Sequence, residues 1–144
     1  VTSGNSGYIY SLLFSAYNRV WNTHSPSLTC SRNIDKFTTS TSNGNGKLDY
    51  PVGLLTADEI MIAGADGNYT LNKSYYLYAG NDWWAGSPFG FNRYNAFEFF
   101  VTPDGNLYFY NVYISAFGVR PSVSLAPGTE MIGSGTVDDP YVVS

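Results

Sequence analysis

The residues able to do chemistry are few and scattered. His24 is the one histidine and Cys30 the one cysteine of the chain, so neither a zinc site of several His and Cys ligands nor a His-based triad has the partners it needs. Most carboxylates stand where local backbone geometry favours them: Asp82, Asp104, Asp138 and Asp139 in turns, Asp58 and Glu59 at a helix start. General acid–base catalysis needs two titratable groups held together with separated pKa values. Only Glu98, alternating with Phe97 and Phe99, is spaced to face an environment of its own. The stretch 41–49, TSNGNGKLD, has the Gly and Asn spacing of a calcium loop, but Asn replaces Asp at its inner positions and no Glu closes it. It reads as a Gly/Asn turn. No catalytic residue, cofactor or metal site is expected.

What the chain has in quantity is rings. It carries 13 Tyr, 9 Phe and 3 Trp, and roughly two-thirds of them fall between positions 75 and 125. Within that stretch the clusters 89–94 and 108–113 do not alternate apolar with polar as a half-buried strand should, so some rings must face outward. Their neighbours are Asn, Gly, Ser and Asp with almost no Lys, Glu or Gln. That is the composition of a recognition surface, where rigid amphipathic rings give contact area and small polar residues give adaptable hydrogen bonds.

Length and composition bound the rest. At 144 residues the chain is expected to form a single domain over 1–144, large enough to bury a core without a metal or a disulfide lattice. A net charge of −4 offers no electrostatic attraction to nucleic acid or to an anionic membrane. No apolar run approaches the ~20 residues that span a bilayer, and the opening Val1 suggests an ectodomain or mature fragment, tied to a membrane only through an anchor or stem outside this sequence. Cys30 either pairs with a partner beyond the chain or serves as a small buried hydrophobe.

The elements follow from periodicity. Residues 1–7 read as a polar lead-in. Over 8–22, Ile9, Leu12, Leu13, Ala16, Tyr17, Val20 and Trp21 recur at three- and four-residue spacing, predicting an amphipathic helix capped by Ser6, packed on a sheet and stopped before Pro26. Residues 30–50 read as a loop or ragged hairpin, and 51–55 as a buried strand or extended lead. Thr56 with Glu59 forms a capping box for a short second helix ended by Gly64. Strands are expected at 75–78, 96–102, 107–112 and 119–125, with a turn at 80–82, a break at Ser87-Pro88, a hairpin turn at 103–106, a loop at 133–139 and a closing strand at 141–143. Two helices packed on short antiparallel strands with long loops make an α+β domain.

GLLTADEI, YYLYAGNDWWAGSP, DGNLY, and GVRPSVSL followed by GSGTVDDPYVV resemble a family of bacterial cell-surface domains carried on prepilin-like or lipoprotein stems. AYNRVWNTHSPSLTC resembles the first half of the same family, so the likeness covers most of the chain. The W…SP and GVRP signatures are also similar to the C-type-lectin fold of formylglycine-generating-enzyme-like domains and of the variable proteins of diversity-generating retroelements. In those variable proteins, reverse transcription randomises adenines in selected codons. Randomised AAC or AAT codons give Asn, Tyr, Asp, Phe, Ser, Ile, Val, Ala, Gly, Arg and a few others but never Trp, Lys, Glu, Gln or Met, and the permitted types fill nearly every position from 89 to 116. The resemblance implies a frame of Trp83, Trp84, Ser87, Pro88, Ala96, Asp104, Gly105, Leu107, Val112 and 118–121. It implies a displayed, ligand-binding set of Asn81, Asp82, Phe89, Phe91, Arg93, Tyr94, Tyr108, Tyr110, Tyr113, Ile114 and Ser115. Phe97, Phe99 and Phe100 read as strand core. Sugar binding through calcium is not implied, for neither Glu-Pro-Asn nor Gln-Pro-Asp occurs.

The expectation is therefore a binding domain and not an enzyme; the paired cysteines of the formylglycine-generating enzymes are absent. The resemblance places it at a cell surface, or at a phage or pilus tip, holding a protein or glycan ligand on an aromatic face. The alternative is a pilin-like structural subunit whose rings bury against a neighbour in a fibre.

Overall fold

A computed structural model of the chain describes residues 10–30, 38–40, 42, 44, 48–67, 71–113, 116–136 and 138–144. In chain order the elements are strand β1 (Tyr10–Leu13), helix α1 (Ser15–Tyr17) running on into a π-helical turn (Asn18–Asn22), strand β2 (Val52–Leu54), helix α2 (Ala57–Ile62), and strands β3 (Trp83–Asn92), β4 (Ala96–Val101), β5 (Leu107–Asn111), β6 (Pro121–Val123), β7 (Met131–Ile132) and β8 (Val142–Val143). Four strands join antiparallel in the order β1-β3-β4-β5, while β2 pairs with β6 and β7 with β8 in separate ribbons. Short helices set against antiparallel sheets make the fold α+β.

Alternation along β4 sets the layers. Phe97, Phe99 and Val101 are buried on one face, and Ala96, Glu98 and Phe100 fall on the other, because successive side chains of a strand point to opposite sides. Register carries this division to β5: Phe109 stands opposite Phe99 and Leu107 opposite Val101, whereas Tyr110 stands opposite Glu98 and Tyr108 opposite Phe100. Directly opposed residues share a face. On the inner face Phe89 stacks on Phe109 with centroids 3.9 Å apart, and Phe99, Tyr17 and Trp21 meet it edge-on. Val20, Ile60 and Trp83 complete the core.

Local chemistry closes the turns. In the β3–β4 hairpin the buried Asn92 carboxamide oxygen accepts from the backbone N–H groups of Tyr94 (2.9 Å) and Asn95 (2.7 Å), an Asx-type turn made from the side chain. At the β4–β5 hairpin Gly105 has φ +83° and lies against the Asn72 carbonyl, leaving no room for a Cβ. The capping box of α2 forms in both directions, Glu59 N–H to Thr56 Oγ1 and Thr56 N–H to the Glu59 carboxylate. Asp58, between the two capping-box residues, is buried and takes both arms of the Arg19 guanidinium at 2.7 Å, together with the Ser27 N–H at 2.8 Å. This fork pins the π-helical turn and the segment after it to α2.

Tertiary pairing changes several local expectations. The helix predicted from residue 8 begins only at Ser15; residues 10–13 are extended because the edge of β3 takes them as a strand, Leu12 opposite Phe91 and Leu13 opposite Gly90. Ala16, Val20, Tyr17 and Trp21 nevertheless meet the core as their spacing requires. Residues 75–78 form a turn, Tyr78 N–H to the Tyr75 carbonyl, not a strand. Ser87-Pro88 does not break the chain: β3 runs through it, and register shifts on both sides of Pro88 absorb the missing N–H. β2 is an exposed ribbon strand, not a buried one. The β7–β8 ribbon contains the closing strand, at Val142–Val143, and adds a partner that periodicity did not reveal. Ile9, the Ser6 cap, the 1–7 lead-in and most of the 41–49 turn lie outside the described residues.

Candidate functional site

The outer face of the four-stranded sheet carries a second aromatic cluster. Phe100 and Trp84, opposite one another on β4 and β3, are roofed by Phe117, whose ring lies 4.5 Å from Phe100 and 4.6 Å from Trp84. Tyr110 closes the group at 5.8 Å from Phe117. The roof is held by backbone: Gly118 N–H donates to the Asp82 carbonyl and Trp84 N–H to the Gly118 carbonyl. So Phe100 is buried, as its strand-core reading requires, but against this second cluster and not against the main core. Nearer the β3–β4 turn the same face carries Phe91 and Leu12, both exposed.

The displayed set divides under this geometry. Phe91, Arg93, Tyr94, Tyr110 and Tyr113 are exposed, Tyr94 and Tyr113 most of all at 78% and 68%. Register brings them to one end of the sheet: Phe91 stands opposite Ala96, Tyr110 opposite Glu98, and Val112 N–H donates to the Ala96 carbonyl. The Arg93 guanidinium lies over the Tyr94 ring at 5.4 Å, a cation–π contact that stiffens the hairpin tip. Phe89 is a correction. It is 2% exposed and stacked in the core, because the register shift beside Pro88 turns it inward. Tyr108 is half-buried on the edge strand, between Trp21 at 5.6 Å and Phe100 at 6.1 Å. Asn81 and Asp82 stand at the far end of β3, about 30 Å from its other end for ten extended residues, so they do not join the group. Ile114 and Ser115 lie outside the described residues.

The frame divides too. Trp83, Ser87 and Leu107 are buried, and Ser87 Oγ accepts the Ala57 N–H at 2.9 Å, joining β3 to the start of α2. Arg120 lies over the Trp83 ring at 4.8 Å and donates to the Leu77 carbonyl. Tyr75 lies nearby; burial pushes its hydroxyl up to about 12, with Arg120 pulling the other way. Val112, by contrast, is exposed.

Glu98 sits at the middle of the outer face, half-buried, and burial pushes its carboxyl above the ordinary value of 4.5. The carboxyl is partly shielded from water and receives no hydrogen bond from the described residues. Its alternation with Phe97 and Phe99 marked it in sequence. The roof of Phe117 and the proximity of Leu12 to Phe91 had no local signal, since both depend on chain segments far apart in sequence. No group of three or more His, Cys, Asp or Glu is placed to hold a metal ion among the described residues, and no helix there is long and apolar enough to cross a membrane.

No family model, curated protein or solved structure matches the chain. The site is therefore read from its own chemistry. It offers several exposed phenol and phenyl faces, one guanidinium and one shielded carboxyl on a sheet whose reverse side is a packed core. Such a surface can stack on sugar rings or on side chains and hydrogen-bond through its hydroxyls.

Proposed function

We propose that the chain is a ligand-binding domain, a receptor or adhesin displayed at a cell surface or at a phage or pilus tip. It holds a protein or glycan partner against the rings at the β3–β4 end of the sheet, and its scaffold is the C-type-lectin-like one its signatures resemble, with the ring set diversified by a retroelement. The observation that carries this reading is the convergence of exposed Phe91, Arg93, Tyr94, Tyr110 and Tyr113 on one end of a rigid sheet. Large exposed apolar patches are seldom kept without a partner, and Tyr and Arg are the residues that dominate binding energy where partners meet. Trp83, Ser87 and Leu107 behave as frame; Phe89, drawn into the core, leaves the displayed set.

Sibling alleles test the proposal. Substitutions are expected at positions 91, 93, 94, 110 and 113, with 83, 87, 89 and 107 constant, next to a reverse-transcriptase gene and an adenine-bearing near-copy of the coding region. Constant residues at the five ring-end positions across many alleles would overturn it.

The alternative, a pilin-like structural subunit, would bury the same rings against a neighbour, and a second exposed apolar surface is compatible with it. Met131, Ile132, Val142 and Val143 of the β7–β8 ribbon are all exposed, Met131 with Val143 on one face and Ile132 with Val142 on the other, apolar surface that neighbouring subunits could cover. Sedimentation over a hundredfold concentration range separates the readings: a fibre subunit grows in mass with concentration, whereas a displayed binder keeps its size.

A further inference from the structure

Beside the ring cluster, between the β2–β6 ribbon and the outer face of the sheet, lies an open groove of about 510 Å³, lined by Leu48, Val52, Leu54, Val119, Pro121 and Glu98 among others. The groove exists because Gly86 lets β2 lie close. Its N–H donates to the Leu55 carbonyl at 2.8 Å, and a Cβ there would come within 3.1 Å of the Leu54 carbonyl oxygen. Its volume falls within the range of small-ligand sites, which are commonly apolar with a few placed polar groups. Among the described residues that line it there is a single charged group. Every named wall residue but Glu98 is apolar, and Glu98 receives no hydrogen bond and no ion pair among the described residues.

We propose that this groove binds an alkylammonium group, an aliphatic chain ending in a primary amine, with the chain along Val52, Leu54 and Val119 and the ammonium on the Glu98 carboxylate. Three observations support it. A half-buried carboxylate without a donor is costly, and a cation that supplies N–H donors relieves that cost directly. Aliphatic walls leading to a charge suit a side chain or molecule that buries its methylenes and carries its charge at the tip. Tyr110, directly opposite Glu98 on β5, adds an aromatic ring to the surroundings, which favours a cation further. Anions are repelled and neutral chains leave the carboxylate unpaired. The two sources of such a group are a free small amine and a lysine side chain of a polypeptide.

Binding and ionisation are linked. Among the described residues no titratable side chain other than Glu98 lines the groove, and Tyr110 is the one that stands opposite it. Burial holds Glu98 protonated to a higher pH than usual, and the cation binds the ionised form, so affinity rises with pH from about 4 towards 7.

Methyl and carboxyl NMR titrations of the whole chain with n-butylammonium and with Nα-acetyl-lysine N-methylamide test this, against n-butanol and Nα-acetyl-norleucine N-methylamide as neutral isosteres. Saturating shifts at the Val52, Leu54 and Val119 methyls and at the Glu98 carboxyl carbon are expected with the cations. The neutral probes should bind about tenfold more weakly or worse. Glu98→Gln should lose the same factor while its melting midpoint holds or rises. Saturation by butylammonium alone identifies a free amine as the ligand; saturation by the capped lysine as well identifies a polypeptide side chain. Equal binding of the neutral probes, undiminished binding by Glu98→Gln, a pH-independent affinity in the parent, or no saturating shift with either cation overturns the proposal. The inference does not rest on the ring-cluster reading, since Tyr94→Ala with Tyr113→Ala removes rings that do not line the groove.

Discussion

Single side chains fall into three kinds here, and each kind predicts a different response to substitution. Phe89 is wholly enclosed by Tyr17, Trp21, Phe99 and Phe109, so Phe89→Ala should cost about 3–5 kcal/mol in urea unfolding. Tyr113→Ala, on an exposed ring, should stay within about 0.5 kcal/mol of the parent; a loss as large as that of Phe89 would move Tyr113 into the core. Asp58 is governed by its ion pair. Burial pushes its carboxyl up, but the Arg19 fork and the Ser27 N–H outweigh burial and hold it below its ordinary 3.8. A lowered folded-state pKa means stability that is fully present above the unfolded value and lost as pH falls through the folded one. Below about pH 4 the parent should therefore lose stability that Asp58→Asn does not lose further. Glu98 has the opposite sign: its raised pKa makes ionisation cost stability as pH climbs past the ordinary 4.5, so Glu98→Gln should be more stable than the parent at pH 7 and level with it below pH 4. Guanidinium melts of both variants across pH 3–7 separate the two contributions.

At the scale of elements, the sheet is double-sided, and the two sides depend on different segments. Its inner side is sealed by α1, the π-helical turn and α2, and the joint between the last two is the Arg19–Asp58 fork. Arg19→Met leaves a buried carboxylate without its partner and should cost about 3 kcal/mol, the lower end for a broken buried pair because Arg19 is itself partly exposed. On the outer side Phe117 covers Trp84 and Phe100, and the β2–β6 ribbon lies beside Glu98. Trp84→Ala should fall at the lower end of about 3–5 kcal/mol, since Trp84 is half-buried. It should also raise the exposure of Phe100, read as increased binding of an apolar dye. An unchanged dye signal would mean that Phe117 covers Phe100 without help. Thr56→Ala removes one half of the α2 capping box and should cost about 1 kcal/mol.

For the whole molecule, the division of labour is between a core that fixes the sheet and an end of the sheet that contributes little to stability. Tyr110→Ala with Tyr113→Ala should leave the melting midpoint nearly unchanged, with a smaller margin for Tyr110, which touches Phe117 and Phe100. Once a partner is found, the same double variant should abolish its capture. Retained capture would assign the partner to another surface.

Much of this was written in local chemistry. The capping box at Thr56 and Glu59, the Pro-Asp-Gly-Asn hairpin, the inward run of Phe97 and Phe99, and the isolation of Glu98 between them all follow from rules that act within a few residues, and the structure contains each of them. The α+β class and the excess of rings over what a core can hold follow from composition and period alone. What needed the tertiary structure is every decision made across long sequence separation. The edge of β3 drew residues 10–13 out of a helix, two register shifts around Pro88 turned Phe89 inward, and Asp58 found Arg19 and not merely a helix start. Folding also set Asn81 and Asp82 a strand's length away from the other candidates, and laid β2 and β6 over Glu98 to make a groove. A strand's side chains change face with a one-residue slip, so which ring is core and which is surface is decided by pairing partners that no local pattern contains.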